Sequence, residues 1–129
     1  MSGGTFEYNQ YRIRDIANRV EKEIYDSGRK KTPREIKEEK KYQYDPTHTP
    51  DPTHYEYPDE VMKEFKKAYT ILRVAEIYAQ RIDWLLACDD GEETFLKRLK
   101  QDLEVFDAEL VIKKQDGYKP EYFDEEYSD

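Results

Sequence analysis

Cysteine and histidine, the side chains that most often act as nucleophiles or bind transition metals, occur three times in this chain, as Cys88, His48 and His54. Cys88 stands near the predicted C-terminal end of a helix, directly before Asp89 and Asp90. The helix dipole and the two carboxylates both oppose a thiolate there, whereas reactive cysteines lie near cations or helix N-termini. We therefore interpret Cys88 as a small apolar residue that closes the helix.

The two histidines belong to a tetrapeptide, Asp-Pro-Thr-His, that occurs at 45–48 and again at 51–54. Together with Asp45 and Asp51 they would supply four ligands to a zinc or nickel ion. However, the six-residue spacing in a proline-rich segment fixes no geometry, and known zinc patterns place paired ligands two to five residues apart. A solvated loop is the favoured interpretation, and we expect neither a metal nor another cofactor.

Acidic residues are too numerous to identify a reaction. The run Asp89-Asp90-Gly91-Glu92-Glu93 suggests a calcium site, but the spacing of its acidic residues does not match the ligand positions of an EF-hand loop. A capping box formed by Asp90 and Glu93 at the start of a helix explains these acids with fewer assumptions. Because the chain contains 30 acidic residues, any pair of carboxylates drawn for hydrolysis is unspecific. We therefore expect no enzymatic activity.

A basic cluster lies at residues 29–41, where seven bases face three acids. Its cations are Arg29, Lys30, Lys31, Arg34, Lys37, Lys40 and Lys41. The whole chain nevertheless has a net charge of -8, which opposes direct binding of duplex DNA. We predict a solvated face, or a face that docks the acidic C-terminal segment within the molecule or across an oligomer.

The composition indicates that many residues are exposed to solvent and that few are available for a hydrophobic core. Its 129 residues are enough for one domain, and its hydrophobic fraction of 36% includes 12 tyrosines. No run approaches the roughly 20 apolar residues that a membrane-spanning helix needs. A single cysteine excludes a disulfide scaffold. Charged residues make up 40% of the chain, so we expect ordered helices with loose ends.

Hydrophobic periodicity predicts three main helices and a short one. The first main helix covers about residues 8–27 and ends before Gly28. The short helix covers about residues 33–42 and begins with a capping box of Thr32 and Glu35. The strongest pattern runs from about 59 to 88, and a fourth helix follows residue 91, with 110–112 as an alternative strand. The predicted buried stripe of the first helix is Ile13, Ile16, Ala17, Val20 and Ile24; that of the last is Phe95, Leu99, Leu103, Phe106 and Leu110. The stripe of the long helix is Val61, Phe65, Ala68, Leu72, Ala75, Ala79, Ile82 and Leu86. Further apolar residues widen it, so that this helix is able to pack against neighbours on two sides: Met62, Tyr69, Ile71, Ile77, Tyr78 and Leu85.

These elements predict an all-α fold, a small antiparallel bundle in which short connections join neighbouring helices. We expect one helical domain over 1–115, with an extended proline- and tyrosine-rich connector at 44–58. The remaining residues, 116–129, form an acidic, tyrosine-rich tail with six acids and one base.

Three stretches resemble a group of small proteins from phages and integrated bacterial elements: residues 1–8 (MSGGTFEY), 82–86 (IDWLL) and 89–95 (DDGEETF). Proteins of that group open with Ser-Gly-Gly, an aromatic residue and a tyrosine, and carry an acidic, glycine-containing turn after a Trp-containing helix. The resemblance implies a mobile-element accessory protein of the bacterial cytoplasm. Such proteins are frequently non-enzymatic inhibitors of host defence, including anti-CRISPR and anti-restriction proteins.

The leading hypothesis is a protein that binds and inhibits a host effector that processes nucleic acid. An acidic surface is able to occupy the cationic groove of a nuclease, and tyrosines are enriched at binding surfaces. The expected partner-binding residues come from the tail and the connector, and are Tyr118, Tyr122, Phe123, Asp124, Glu125, Glu126, Tyr127, Tyr42, Tyr44, Tyr55 and Tyr57.

Two alternatives come from other functional classes. The first is a sponge for a nucleotide signal of a defence system, with ligand-binding residues Gly3, Gly4, Phe6, Tyr8, Tyr11, Arg12 and Arg14. The second is a structural or regulatory subunit whose long apolar helix packs against a second copy of the chain. In each case we expect no membrane association.

Overall fold

The computed structural model describes residues 5–42, 47 and 49–114, and this part of the chain is helical. Its helices are α1 (Gln10–Asp26), α2 (Pro33–Lys41), α3 (Asp59–Leu86) and α4 (Glu92–Lys113). The all-α prediction is confirmed, and α4 continues as a helix through 110–112, so the alternative strand is wrong. No helix within the described ranges combines the length and apolar character needed to cross a membrane.

The ends of α1 and α2 follow the local sequence signals. Gly28 has a φ of 73°, the left-handed conformation that ends a helix without a Cβ clash. At the start of α2, the Thr32 hydroxyl accepts from the Glu35 amide, and the Glu35 carboxylate accepts from the Thr32 amide. The capping box predicted at this position is therefore confirmed.

The start of α4 differs from the prediction. The N-cap is Gly91, and its position carries no side-chain cap, so the expected capping box of Asp90 and Glu93 is wrong. The Asp90 carboxylate instead lies 3.3 Å from Arg98 Nη1 and 3.7 Å from Arg81 Nη1. Two guanidinium groups thus pair with the Asp90 carboxylate, which the local sequence predicted to cap α4.

Helix α3 is the element on which the others pack, since it contacts both α1 and α4. The buried apolar residues within the described ranges are Ala17, Tyr69, Ile77 and Phe106. Partly buried residues from the three helices surround them: Val20, Ile24, Leu72, Val74, Leu99, Leu103 and Leu110. The stripe predicted for α4 accordingly faces the core, whereas Ile16, predicted to be buried on α1, is 54% exposed.

Polar side chains share the interior with this small core. Gln10, Glu21, Asp26, Arg73 and Asp83 are all buried. Because a buried charge is costly unless it is paired, each needs partners on a neighbouring element. The buried stripe predicted for α3 did not include Arg73 or Asp83, the two buried charged residues of that helix. Three predicted members of the stripe, Val61, Ala75 and Leu86, are exposed.

Hydrogen bonds along and between the helices pair several of these groups. Gln10 donates to the Gln80 amide oxygen over 2.8 Å and to the Asp83 carboxylate over 3.3 Å. The hydroxyl of Tyr69 accepts from Arg73 at 2.9 Å and from Lys113 at 2.7 Å. A polar seam therefore runs along the inner face of α3.

Lys113 closes this seam between α1 and α4, because its ammonium also pairs with Glu21. Burial lowers the pKa of Lys113, but its bonds to Glu21 and Tyr69 outweigh burial and raise the pKa above the ordinary value. The ammonium thus stays charged in the interior.

Candidate protein-binding surface

The connector between α2 and α3 folds back onto the loop that follows α1. The amide of His54 donates to the Arg29 carbonyl at 2.7 Å, and the amide of Lys31 donates to the Pro52 carbonyl at 2.9 Å. An antiparallel bridge joins Lys30 to Thr53 between these bonds. Residues 51–57, called the docked connector below, are therefore held by backbone pairing, whereas the sequence predicted only an extended segment.

Beneath the docked connector lies a group of four polar side chains, Asp26, Arg29, Glu35 and His54, called the Arg29 cluster below. Arg29 donates twice to Glu35, over 3.0 and 2.9 Å, and twice to Asp26 Oδ1, over 2.8 and 3.2 Å. His54 Nε2 lies 2.7 Å from the Glu35 carboxylate and 3.0 Å from Arg29 Nη2. The cluster joins the end of α1, the start of α2 and the docked connector.

Protonation in the Arg29 cluster is set by these short bonds. Burial raises the pKa of Glu35, but hydrogen bonds from Arg29, from the Thr32 amide and from His54 outweigh it and lower the pKa to about 2. Burial likewise lowers the pKa of Arg29, but its bonds to Glu35 and Asp26 raise the pKa above the ordinary value. Because the ionised Glu35 carboxylate accepts only, the nearby His54 Nε2 donates to it.

An aromatic ladder holds the exposed face of the docked connector. The ring of Tyr57 meets Phe65 of α3 edge to face, with centroids 4.9 Å apart, and Tyr55 meets Tyr57 edge to face at 5.1 Å. Tyr57 is half-buried in this arrangement, whereas Tyr55 remains 71% exposed. The backbone of Tyr55 is also fixed, since its carbonyl accepts from the Gly28 amide at 3.2 Å.

Carboxylates flank the exposed tyrosine. Asp51 and Glu56 lie on either side of Tyr55 along the docked connector and line a cleft beside it, together with Glu23 and with Lys31, whose charge is paired with Glu39. The side-chain carbons of Glu56 lie against Gly28, where an added Cβ would come within 3.3 Å. Within the described part of the chain, neither Asp51 nor Glu56 forms an ion pair. The surface around Tyr55 is therefore aromatic and acidic.

The predicted partner-binding residues divide into two groups. Tyr42 and Tyr55 are exposed, and Tyr57 supports Tyr55. The remaining predicted residues lie outside the described ranges: Tyr44, Tyr118, Tyr122, Phe123, Asp124, Glu125, Glu126 and Tyr127.

The residues predicted to bind a nucleotide are already engaged in several places. The amide of Phe6 donates to the Asp83 carboxylate at 2.7 Å, and Arg14 pairs with Glu76 at 3.3 Å. Tyr8 and Tyr11 stack with centroids 5.9 Å apart. Arg12 is exposed, and Gly3 and Gly4 lie outside the described residues. The Phe6 amide and the Arg14 guanidinium are thus each bonded to a carboxylate of α3.

The structure also places the candidate metal ligands and the candidate nucleophile. Among the described residues, no group of three or more His, Cys, Asp or Glu side chains has the arrangement of a metal site. His54 is bound within the Arg29 cluster, while His48 and Asp45 lie outside the described ranges. Cys88 follows the C-cap of α3 with a φ of 63°, the left-handed conformation that ends a helix, so the prediction that it closes the helix is confirmed, although its side chain is exposed.

Part of the predicted basic cluster is neutralised within the molecule. Arg29 belongs to the Arg29 cluster, and Lys31 pairs with Glu39 at 2.8 Å. Two of its seven cations are thus paired with carboxylates. The sequence pointed to both cations but not to their partners Asp26 and Glu39, because periodicity and charge counts do not show which side chains meet.

Comparison of the chain with protein-family models, curated proteins and solved structures finds no match. The geometry of the surface is therefore the basis for assigning a function.

Proposed function

We propose that this protein is a non-enzymatic, mobile-element accessory protein that binds and inhibits a host protein that processes nucleic acid. The observation that carries the proposal is the exposed Tyr55, fixed on an aromatic ladder and flanked by the carboxylates of Asp51 and Glu56. The partner in this proposal presents a cationic groove, as anti-CRISPR and anti-restriction targets do.

A tyrosine in this setting is a favourable binding anchor. Its ring offers a large contact area, and its hydroxyl can form a hydrogen bond at the edge of an interface. Because Tyr57 and Phe65 already fix the aromatic stack, Tyr55 loses little side-chain freedom when a partner covers it. The carboxylates beside it favour arginine- or lysine-rich surfaces and steer their approach.

The proposal is tested by capture from a bacterial lysate that has been treated to remove nucleic acid. Wild-type protein is compared with the triple variant Asp51→Asn, Tyr55→Ala and Glu56→Gln. We expect wild type to enrich a nucleic-acid-processing protein and to inhibit its activity in a purified assay, and we expect the triple variant to lose both effects.

Tyr11→Ala is the matched control, because it removes an exposed tyrosine distant in sequence from the docked connector. The proposal is wrong if the triple variant and Tyr11→Ala inhibit the partner equally. It is also wrong if native mass spectrometry of wild type shows a bound nucleotide, which favours the sponge.

We also propose an antiparallel bundle as the arrangement of the main helices, and the bacterial cytoplasm as the compartment of action. The order of the contacts supports the arrangement: as positions rise from Gln10 to Arg14 on α1, their partners on α3 fall from Gln80 to Glu76. The compartment follows from the nature of the proposed partner.

A further inference from the structure

The outer face of α3 is apolar, although the inner face of the same helix is charged. Every charged side chain of α3 between 68 and 86 faces α1 or α4. Arg73 pairs with Glu109, Glu76 with Arg14 and Arg81 with Asp102, and Asp83 accepts from Phe6 and Gln10. The opposite face of the helix therefore carries no charge over this length.

The residues of this outer face repeat with the heptad period of a coiled coil. Ala68, Ala75 and Ile82 occupy one position of the repeat, and Ile71, Tyr78 and Leu85 occupy the other. These six residues are called the outer strip below; it is about 27 Å long at the rise of an α-helix. Ile71 is 60% exposed and Tyr78 is 42% exposed, so no described element covers the centre of the strip.

We propose that the outer strip binds the outer strip of a second copy of this chain in an antiparallel, two-fold symmetric contact. With the axis between residues 76 and 77, Ala68 of one copy faces Leu85 of the other. Ala75 faces Tyr78 in the same way, and Ile71 faces Ile82. Each small side chain thus meets a large one, which is how well-packed layers interdigitate.

A parallel contact of the same strips lacks this complementarity. It places alanine against alanine and Tyr78 against Tyr78, leaving gaps in some layers and crowding in another. The charges at the two ends of the outer strip also favour the antiparallel orientation. An antiparallel pair puts Lys67 of each copy beside the helix C-terminus and Asp89 of the other, whereas a parallel pair juxtaposes like charges.

The first test measures the mass of the full chain by sedimentation over a concentration series reaching about 100 µM, because a contact made by one pair of helices is small and is expected to be micromolar. We expect a reversible change from 15.6 kDa to twice that mass. Ala75→Glu places a charge beside the two-fold axis of the dimer and is expected to raise the dissociation constant of the dimer at least about tenfold.

Ala108→Glu is the matched control, since Ala108 is an exposed alanine on α4 and the charge change is the same. We expect this variant to dimerise like wild type. Both substitutions replace an exposed alanine with a good helix former, and circular dichroism checks that the helices persist. A monomer at every concentration, or equal weakening by both variants, overturns the proposal.

The second test fixes the orientation with the exposed thiol of Cys88. In the antiparallel pair, position 67 lies opposite Leu86 of the other copy, the last residue of α3, and Cys88 follows Leu86 by two residues. A short bismaleimide is therefore expected to link Lys67→Cys dimers, and to leave wild type and the double variant Lys67→Cys, Cys88→Ala unlinked. Cross-linking of wild type through Cys88 indicates a parallel pair and overturns the proposal.

Discussion

At the scale of single residues, Arg29 determines how the docked connector is attached. Its guanidinium bonds two carboxylates from different helices, and Glu35 in turn accepts from His54 of the docked connector. Bonds of this kind between a charged donor and a charged acceptor are stronger than neutral hydrogen bonds. The position of Tyr55 therefore depends on charges that lie beneath it.

The lowered pKa of Glu35 gives a prediction for the acid stability of the fold. Its carboxyl titrates near 4.5 in the unfolded chain and at about 2 in the folded one. The stabilisation is thus fully present above pH 4.5 and is lost as the pH falls toward 2. In urea denaturation, we expect wild type to exceed Glu35→Gln in stability at neutral pH, with the difference shrinking through this range.

Glu38→Gln is the control for this experiment, because Glu38 is exposed on the same helix. Its stability is expected to follow that of wild type across the same pH range. A difference between wild type and Glu35→Gln that stays constant from pH 7 to pH 2 contradicts the role assigned to Glu35.

The sequence predicted part of this residue-scale structure. The capping box of Thr32 and Glu35 was found because its members are three residues apart, a spacing fixed by helix geometry. The bond from His54 to Glu35 spans 19 residues and depends on the chain folding back. No local pattern encodes that contact, so His54 was considered as a metal ligand instead.

At the scale of elements, α3 is a correct helix prediction whose buried face was predicted only in part, since the apolar residues Tyr69 and Ile77 were expected there but the charged residues were not. Its apolar residues occupy two sides of the helix, so periodicity alone supported more than one stripe. The buried side includes Arg73 and Asp83 because partners on α1 and α4 satisfy them. Those partners are recognisable only after the helices are packed.

Tyr69→Phe tests the contribution of the polar seam to the stability of the packed helices. The substitution keeps the ring against Phe106 but removes the oxygen that accepts from Arg73 and Lys113. We expect a loss of about 1–3 kcal/mol in the free energy of unfolding, since two charged donors lose a buried partner. Urea denaturation measures this change.

The exposed Tyr42 supplies the comparison, because Tyr42→Phe removes a hydroxyl that faces solvent. This variant is expected to stay within about 0.5 kcal/mol of wild type, as surface substitutions usually do. Equal losses in the two variants mean that the Tyr69 hydroxyl does not stabilise the seam.

At the scale of the whole molecule, the net charge of -8 is distributed unevenly. Residues 1–58 contain equal numbers of acids and bases, and the helices contribute a small excess of acid. Residues 116–129, outside the described ranges, contain six acids and one base, and therefore supply most of the net charge. The proposed inhibitor thus has two acidic regions, this tail and the surface around Tyr55.

Removal of residues 116–129 tests whether the tail contributes to partner binding. The last described helix ends at Lys113, so we expect the truncated chain to keep its helical circular dichroism. Its affinity for a captured cationic partner is expected to fall, and the remaining binding is expected to depend less on salt, because fewer charges cross the interface. A full-length variant with the six tail acids replaced by amides separates charge from contact area: it loses the part of the salt dependence that comes from the tail and retains any contribution of the tail tyrosines. Inhibition by the truncated chain that equals inhibition by the full chain excludes the tail from the interface and leaves the surface around Tyr55 as the proposed site.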